Sequence, residues 1–310
     1  MKRLLIVAVL LLSASLVWGQ ELTLYTMPSP REINWNSPQG LALSSLGNRF
    51  TFKHLDHKHA IGHVFIELSD GKELILTGSV PTKDNTSNQQ VLKEGYGLGI
   101  LFTGIKGRLE DTADLQAELP DRYKTGRIGF IRFLLNPETY QRLKDYLAEY
   151  KARGYGSIYN GLNRPREGLG AGCSAFGVSF LEVAGLLHPV WAKEWPIEVR
   201  IPTSVIGGPL TGNRVPLTKV LLLRRWAEPK EPHMVLKLYE PYRIWSWINR
   251  TWDQEKANPT HKVGLLQRGK AKGLVYDCRH LPCPTEPALL VPPPAPQPAG
   301  KGGTDPHEGN

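Results

Sequence analysis

Cys173 carries the clearest chemistry in this chain. It stands in Gly168-Leu169-Gly170-Ala171-Gly172-Cys173-Ser174-Ala175-Phe176, where a run of small residues hands one thiol to the start of an apolar segment. Phe176, Phe180, Val183, Ala184 and Leu187 then recur at helical spacing, and Pro189 stops the segment. The spacing predicts a helix whose first turn holds Cys173, with Ser174 or Cys173 as its cap. Amide N–H groups at a helix start are unpaired and partly positive, so they favour the thiolate, the nucleophilic form of the side chain. The chemistry implied is attack on a carbonyl. The competing reading is a small buried apolar side chain, the ordinary fate of a free cysteine.

Other groups of residues offer different chemistry. Cys278 and Cys283 flank Arg-His-Leu-Pro, a spacing that closes a small disulfide loop and leaves Cys173 as the odd thiol. His54, His57, His59 and His63 form a cluster beside Asp56. His57, His59 and His63 share strand parity, and imidazoles on one strand face can hold zinc or copper. Against a metal, the chain has no HExxH pair and no evident fourth ligand; the alternative puts His54, His57 and His59 in a surface loop. Tyr239, Tyr242, Trp245, Trp247 and Trp252 either line a groove for sugar rings or pack on the main domain.

Several elements must position these groups. Gly62-His63-Val64-Phe65-Ile66-Glu67-Leu68 reads as a strand, turned at Ser69–Lys72 into a returning strand over 73–80. Gly97–Gly107 and Arg127–Leu135 read as two further strands. Asn136-Pro137-Glu138 opens a helix striped by Tyr140, Leu143, Tyr146, Leu147 and Tyr150. A loop with Tyr155, Tyr159 and Asn160 leads into the cysteine helix. Strands followed by helices packed on them make an α+β arrangement. Residues 20–49 read as an irregular lead-in and 189–283 as a mixed extension holding a strand near 197–201, another near 234–239 and a short helix or turn at 244–248. The Pro- and Gly-rich stretch 284–310 reads as a disordered tail.

Met1-Lys2-Arg3 followed by an apolar run to Val17-Trp18-Gly19 has the layout of a secretory signal peptide cut near Gly19. The run is short for a bilayer span, and no second one follows. The expectation is a soluble periplasmic or secreted chain with no transmembrane segment after cleavage. Loss of Lys2 and Arg3 takes the formal charge from +9 to +7, spread along the sequence. That surface is either simply solvated or drawn to an anionic envelope. Nucleic acid is not expected as a partner, and no cofactor motif is present.

A glycine-histidine heading a strand, a later strand running into a proline-opened helix, a tyrosine-bearing loop and a cysteine opening an apolar helix together resemble the circularly permuted papain-like thiol enzymes. That clan includes the NlpC-type cell-wall peptidases, lecithin retinol acyltransferase and exported bacterial domains of unknown function. The matching positions are Gly62-His63-Val64-Phe65-Ile66 and Gly172-Cys173-Ser174, and the resemblance spans roughly 50–188. It implies an antiparallel sheet packed against the cysteine helix, with Cys173 as nucleophile and His63 as general base. It implies an oxyanion site at the N–H groups of Cys173 and Ser174, each such donor contributing ~3 kcal/mol. The residue that orients His63 is expected on the next strand, where Thr77 and Ser79 are the polar candidates. The implied activity is that of a peptidase, amidase or acyltransferase on peptidoglycan peptides or lipid acyl groups. A catalytically inactive binding module of the same fold is the alternative.

Overall fold

The computed structural model describes residues 19–51, 55 and 58–290. The expected leader up to Trp18, the candidate ligands His54, Asp56 and His57, and the tail from 291 onward lie outside the described residues.

The architecture is α+β. Its strands are β1 (Glu21–Met27), β2 (His63–Ser69), β3 (Leu74–Thr77), β4 (Ser79–Pro81), β5 (Ile105–Leu109), β6 (Gly129–Leu134), β7 (Ile158–Tyr159), β8 (Pro196–Pro202), β9 (His233–Tyr239), β10 (Gly264–Arg268) and β11 (Ala271–Asp277). The helices are α1 (Pro38–Arg49), α2 (Ser87–Leu92), α3 (Thr112–Gln116), α4 (Leu119–Thr125), α5 (Pro137–Ala152), α6 (Cys173–Val183), α7 (Pro189–Glu194), α8 (Leu217–Leu222) and α9 (Pro241–Ala257).

The main sheet runs in the order β10-β11-β6-β1-β2-β3. β1 lies inside it, with Leu24 opposite Ile66 on β2 and opposite Ile131 on β6. Residues 20–49 are therefore no irregular lead-in: they supply an inner strand and helix α1. Successive strand side chains point to opposite faces, and both faces of β1 are covered. Leu22 and Leu24 join Val64, Ile66 and Phe133 beneath α5 and α6, where Leu143, Leu147, Phe176 and Phe180 are buried. Tyr25 and Met27 face the other layer, with Phe65 and Phe130 under Leu115 of α3 and Leu119 of α4.

Other expectations change for physical reasons. The sheet is mixed, because β11 pairs parallel with β6 while the remaining pairs run antiparallel. The segment 189–283 thus completes the sheet, and its α9 is a full helix over 241–257 capped by the Glu240 side chain on the Arg243 N–H. Of that aromatic group Tyr239, Trp247 and Trp252 are buried in the main core, whereas Tyr242 and Trp245 are half-buried and lie against each other at 5.6 Å. The glycines in 97–107 break the expected strand into a 3₁₀ turn at Leu98–Leu101 and β5. The returning strand 73–80 is split at Gly78: β3 stays in the main sheet and β4 starts a second one, ordered β4-β5-β7.

Cys278 and Cys283 are both free. Cys278 packs on the main core, where burial pushes its thiol up to about 11, whereas the Cys283 sulfur lies against the Pro284 carbonyl, so the two face different surroundings. Residues 284–290, expected to open the tail, are pinned: Leu289 is buried, the Leu290 N–H donates to the Arg166 carbonyl, and Arg166 donates to the carbonyls of Pro287 and Ala288. No helix among the described residues is long and apolar enough to cross a membrane.

The inner position of β1 is testable by truncation. A chain starting at residue 50 leaves β2 and β6 without their shared partner, and it is expected to show no cooperative thermal unfolding by circular dichroism. A truncated chain that melts cooperatively near the full-length midpoint contradicts this topology.

Candidate active site

Helix α6 lies across β2, and the contact is close. A Cβ at Gly177 would meet Val64 Cγ1 at 2.7 Å, so a residue without a side chain lets the helix come down onto the strand. That approach sets the first turn of α6 beside the start of β2, joining Cys173 to His63. The His63 ring and the Val64 N–H are the neighbours that act on the charge of the Cys173 sulfur. The helix cap is Gly172, extended at φ −77° and ψ 170°, with no side chain on the first-turn amides. Neither Cys173 nor Ser174 is the cap, and no side chain occupies the partly positive N–H groups of the helix start.

The loop before Cys173 is held from several sides. Asn160 Nδ2 donates to the Leu169 carbonyl at 2.7 Å, and the Ala171 N–H donates to the Ile158 carbonyl at 3.3 Å. Ser79 Oγ donates to the Ala171 carbonyl at 3.3 Å. Ser79 therefore fixes the cysteine loop, not the histidine. Thr77 likewise reaches elsewhere, its hydroxyl donating to the Glu110 carbonyl at 3.0 Å.

The histidine's partner is Glu110. His63 Nε2 donates to Glu110 Oε2 at 2.6 Å, and both side chains are almost wholly buried, 2% and 4% exposed. Glu110 follows β5 directly, and its N–H donates to the Gly78 carbonyl at 2.8 Å. Gly78 is the point where the returning strand leaves the main sheet. A Cβ there would stand 2.7 Å from Glu110 Oε2 and 3.1 Å from His63 Nε2, so only glycine leaves room for the pair. With Nε2 engaged by the carboxylate, Nδ1 is the nitrogen left for the sulfur.

Tyr159 completes the surroundings of the thiol. Burial raises its phenol well above the ordinary value, and the neighbouring Cys173 sulfur adds to the rise. Sequence reasoning placed Tyr159 in the loop without a role and missed Glu110 altogether. The one available signal for Glu110 was its place at the end of a glycine-interrupted strand. As for a metal, both described cluster histidines commit Nε2 to a carboxylate, His63 to Glu110 and His59 to Glu118 at 3.1 Å. Among the described residues no group of three or more His, Cys, Asp or Glu is placed to hold an ion.

The electrostatics follow from this packing. Burial works against the His63 imidazolium, but Glu110 and the Cys173 sulfur outweigh it and raise the ring to about 10. Burial likewise opposes the Cys173 thiolate, yet the hydrogen bond and charge of His63, with the Val64 N–H, bring the thiol below its ordinary value. Burial opposes the Glu110 carboxylate too, and the facing imidazolium holds it below the usual range. These shifts all favour the combination of thiolate, imidazolium and carboxylate. The thiol itself is occluded, with Cys173 only 6% exposed, and two surface hollows, one along α5 and one near Gln20 and Arg279, do not touch it.

The raised His63 stabilises the fold below its ordinary value near 6.5, and that contribution is lost as pH climbs through about 10. Glu110→Gln removes the main charge raising His63, so the alkaline loss is expected to move toward neutral pH, read by thermal unfolding and thiolate absorbance across pH. Glu110→Ala, which strands a buried imidazolium, is expected to cost ~3–5 kcal/mol of stability. An unmoved alkaline limb in the Gln variant contradicts the assignment of Glu110.

Comparison with protein-family models, with curated proteins and with solved structures returned no match to this chain.

Proposed function

We propose that the protein is a cysteine hydrolase of permuted papain-like form, exported to the periplasm or secreted, acting on an amide or ester of the cell envelope. The observation that carries this reading is the buried row Cys173–His63–Glu110 at the start of a helix. In the reaction the Cys173 thiolate attacks the carbonyl carbon, and the developing oxyanion is met by the helix-start N–H groups of Cys173 and Ser174. His63, held as imidazolium by Glu110, gives its proton to the leaving amine or alcohol. It then takes a proton from the incoming water, which releases the acid and restores the thiolate. With a second nucleophile in place of water the same steps make an acyltransferase.

The basic composition and the signal-like leader support an envelope substrate, with peptidoglycan stem peptides first and lipid acyl groups second. A second reading, an inactive module of the same form used for binding, is favoured by one observation: the thiol is covered. Acylation separates the two. Incubation with aminoacyl p-nitroanilides and p-nitrophenyl acyl esters is expected to release nitroaniline or nitrophenol and to leave a transient acyl group on Cys173 in the intact mass. Cys173→Ala is expected to abolish both signals. A wild-type protein that neither acylates nor turns over supports the binding module instead.

A further inference from the structure

A second histidine lies directly on the first. The rings of His59 and His63 stack at 4.6 Å between centroids and 2° between planes. The turn that allows this is closed by the Gly62 N–H donating to the His59 carbonyl at 2.9 Å, which folds His59 back over the first residue of β2. His59 is itself held: its Nε2 is 3.1 Å from Glu118 Oε2, and Glu118 is gripped through Oε1 by Arg122 Nε at 2.9 Å and by a second Arg122 nitrogen at 2.6 Å. Lys58 Nζ reaches Glu118 Oε2 at 2.6 Å. His59, Glu118 and Arg122 are all buried. A second Glu–His pair of this kind is unneeded for the acyl-transfer steps above, and nothing in them accounts for its alignment with the first.

We propose that His59 is a positioning residue for His63: its ring, fixed by Glu118 and Arg122, packs one face of the His63 ring and holds Nε2 on Glu110 and the ring beside Cys173. This rests on the reading of His63 as the general base. The groups facing the two rings support the division of labour. Around His63 stand Glu110, Cys173 and the His59 ring; around His59 stand Glu118, Arg122 and the His63 ring. Burial and the neighbouring His63 charge outweigh the pull of Glu118 and together lower His59 to about 4. At neutral pH the stack is therefore an uncharged ring on an imidazolium, and no like-charge repulsion opposes it. A ring that lost this face would keep the Glu110 hydrogen bond and the Phe65 contact at 5.9 Å but would gain room to tilt, and a general base must keep its nitrogen within hydrogen-bond reach of the proton it moves.

The test reads Cys173 alone. Full-length protein, wild type or variant, is alkylated with iodoacetamide from pH 5 to 9, and Cys173 modification is followed by peptide mass so that Cys278 and Cys283 do not interfere. The ratio of the rates at pH 6 and pH 9 is compared rather than the absolute rate, because occlusion slows every pH equally. Wild type is expected to hold a nearly flat ratio, the mark of a thiolate already present at pH 6. His59→Ala is expected to lose roughly ten-fold or more of the pH 6 rate relative to pH 9, as loss of an orienting partner does elsewhere. His59→Phe keeps a ring on the stack and is expected to restore the ratio to within about threefold. A merely structural role lowers the melting temperature of both variants and leaves the ratio unmoved, and that result overturns the proposal. Should His59→Ala not fold, His59→Phe and His59→Leu carry the comparison, ring against no ring at similar bulk; equal ratios in those two overturn it as well. If the wild-type rate itself falls between pH 9 and pH 6 as steeply as that of a free thiol, the reading of His63 as the base fails first, and the inference falls with it.

Discussion

A buried ionic hydrogen bond, His63 to Glu110 at 2.6 Å, governs the arrangement of this site. Removing a carboxylate and an imidazole from water is costly, and the cost is recovered only when the pair is close, aligned and further hydrogen-bonded. Each requirement is visible in the backbone. Gly78 has no side chain because any Cβ would enter the gap between the two groups. The Glu110 backbone is fixed at both its polar atoms, by the Gly78 carbonyl and the Thr77 hydroxyl. The break that ends β3 and starts β4 is what carries Glu110 to the start of β2, so a local irregularity in one strand serves the electrostatics of another.

The thiol is recruited to that pair by packing. Helix α6 is buried along nearly its whole length, and Phe176 and Phe180 fill the space under the sheet beside Val64 and Ile66. Apolar burial of that extent, at ~25 cal/mol per Å², sets the helix position with far more free energy than any one polar contact at its end. The consequence is a division between structure and chemistry. Hydrocarbon between helix and strand decides where Cys173 sits, and the polar groups at the margin decide its charge. Because His63 and Val64 are neighbours on the same strand, one supplies the imidazolium and the other an N–H to the same sulfur.

This division also explains what was legible in the sequence. The cysteine helix, the α5 helix with its Asn136 cap, the His63 strand and β6 each carry a local signal, periodicity or capping, that survives without tertiary context. Glu110 carries only its place after a glycine-interrupted strand, because its role arises when β4 and β5 pair and bring Leu109 opposite Ser79. Thr77 and Ser79 were reasonable by order along the chain, yet each hydroxyl is spent on a backbone carbonyl near the site, at Glu110 and at Ala171. β1 escaped notice because threonines alternate with its leucines, and one burial pattern serves two different layers. β11 escaped because a parallel partner lies far away in sequence, with β6 ending at Leu134 and β11 starting at Ala271.

The occluded sulfur and the charged row are two results of one cause. A low-dielectric setting strengthens the attraction between thiolate and imidazolium, and the same exclusion of water closes the path a substrate would take. A substrate that reaches Cys173 must therefore displace part of its cover. The helix is the wrong part to move, since shifting α6 would open the core against β2 and dissolve the contact that sets the site. The loop before Cys173 joins surface and core: Leu169 is exposed, while Ala171 is wholly buried in the main core and is tied to the Ser79 hydroxyl and the Ile158 carbonyl.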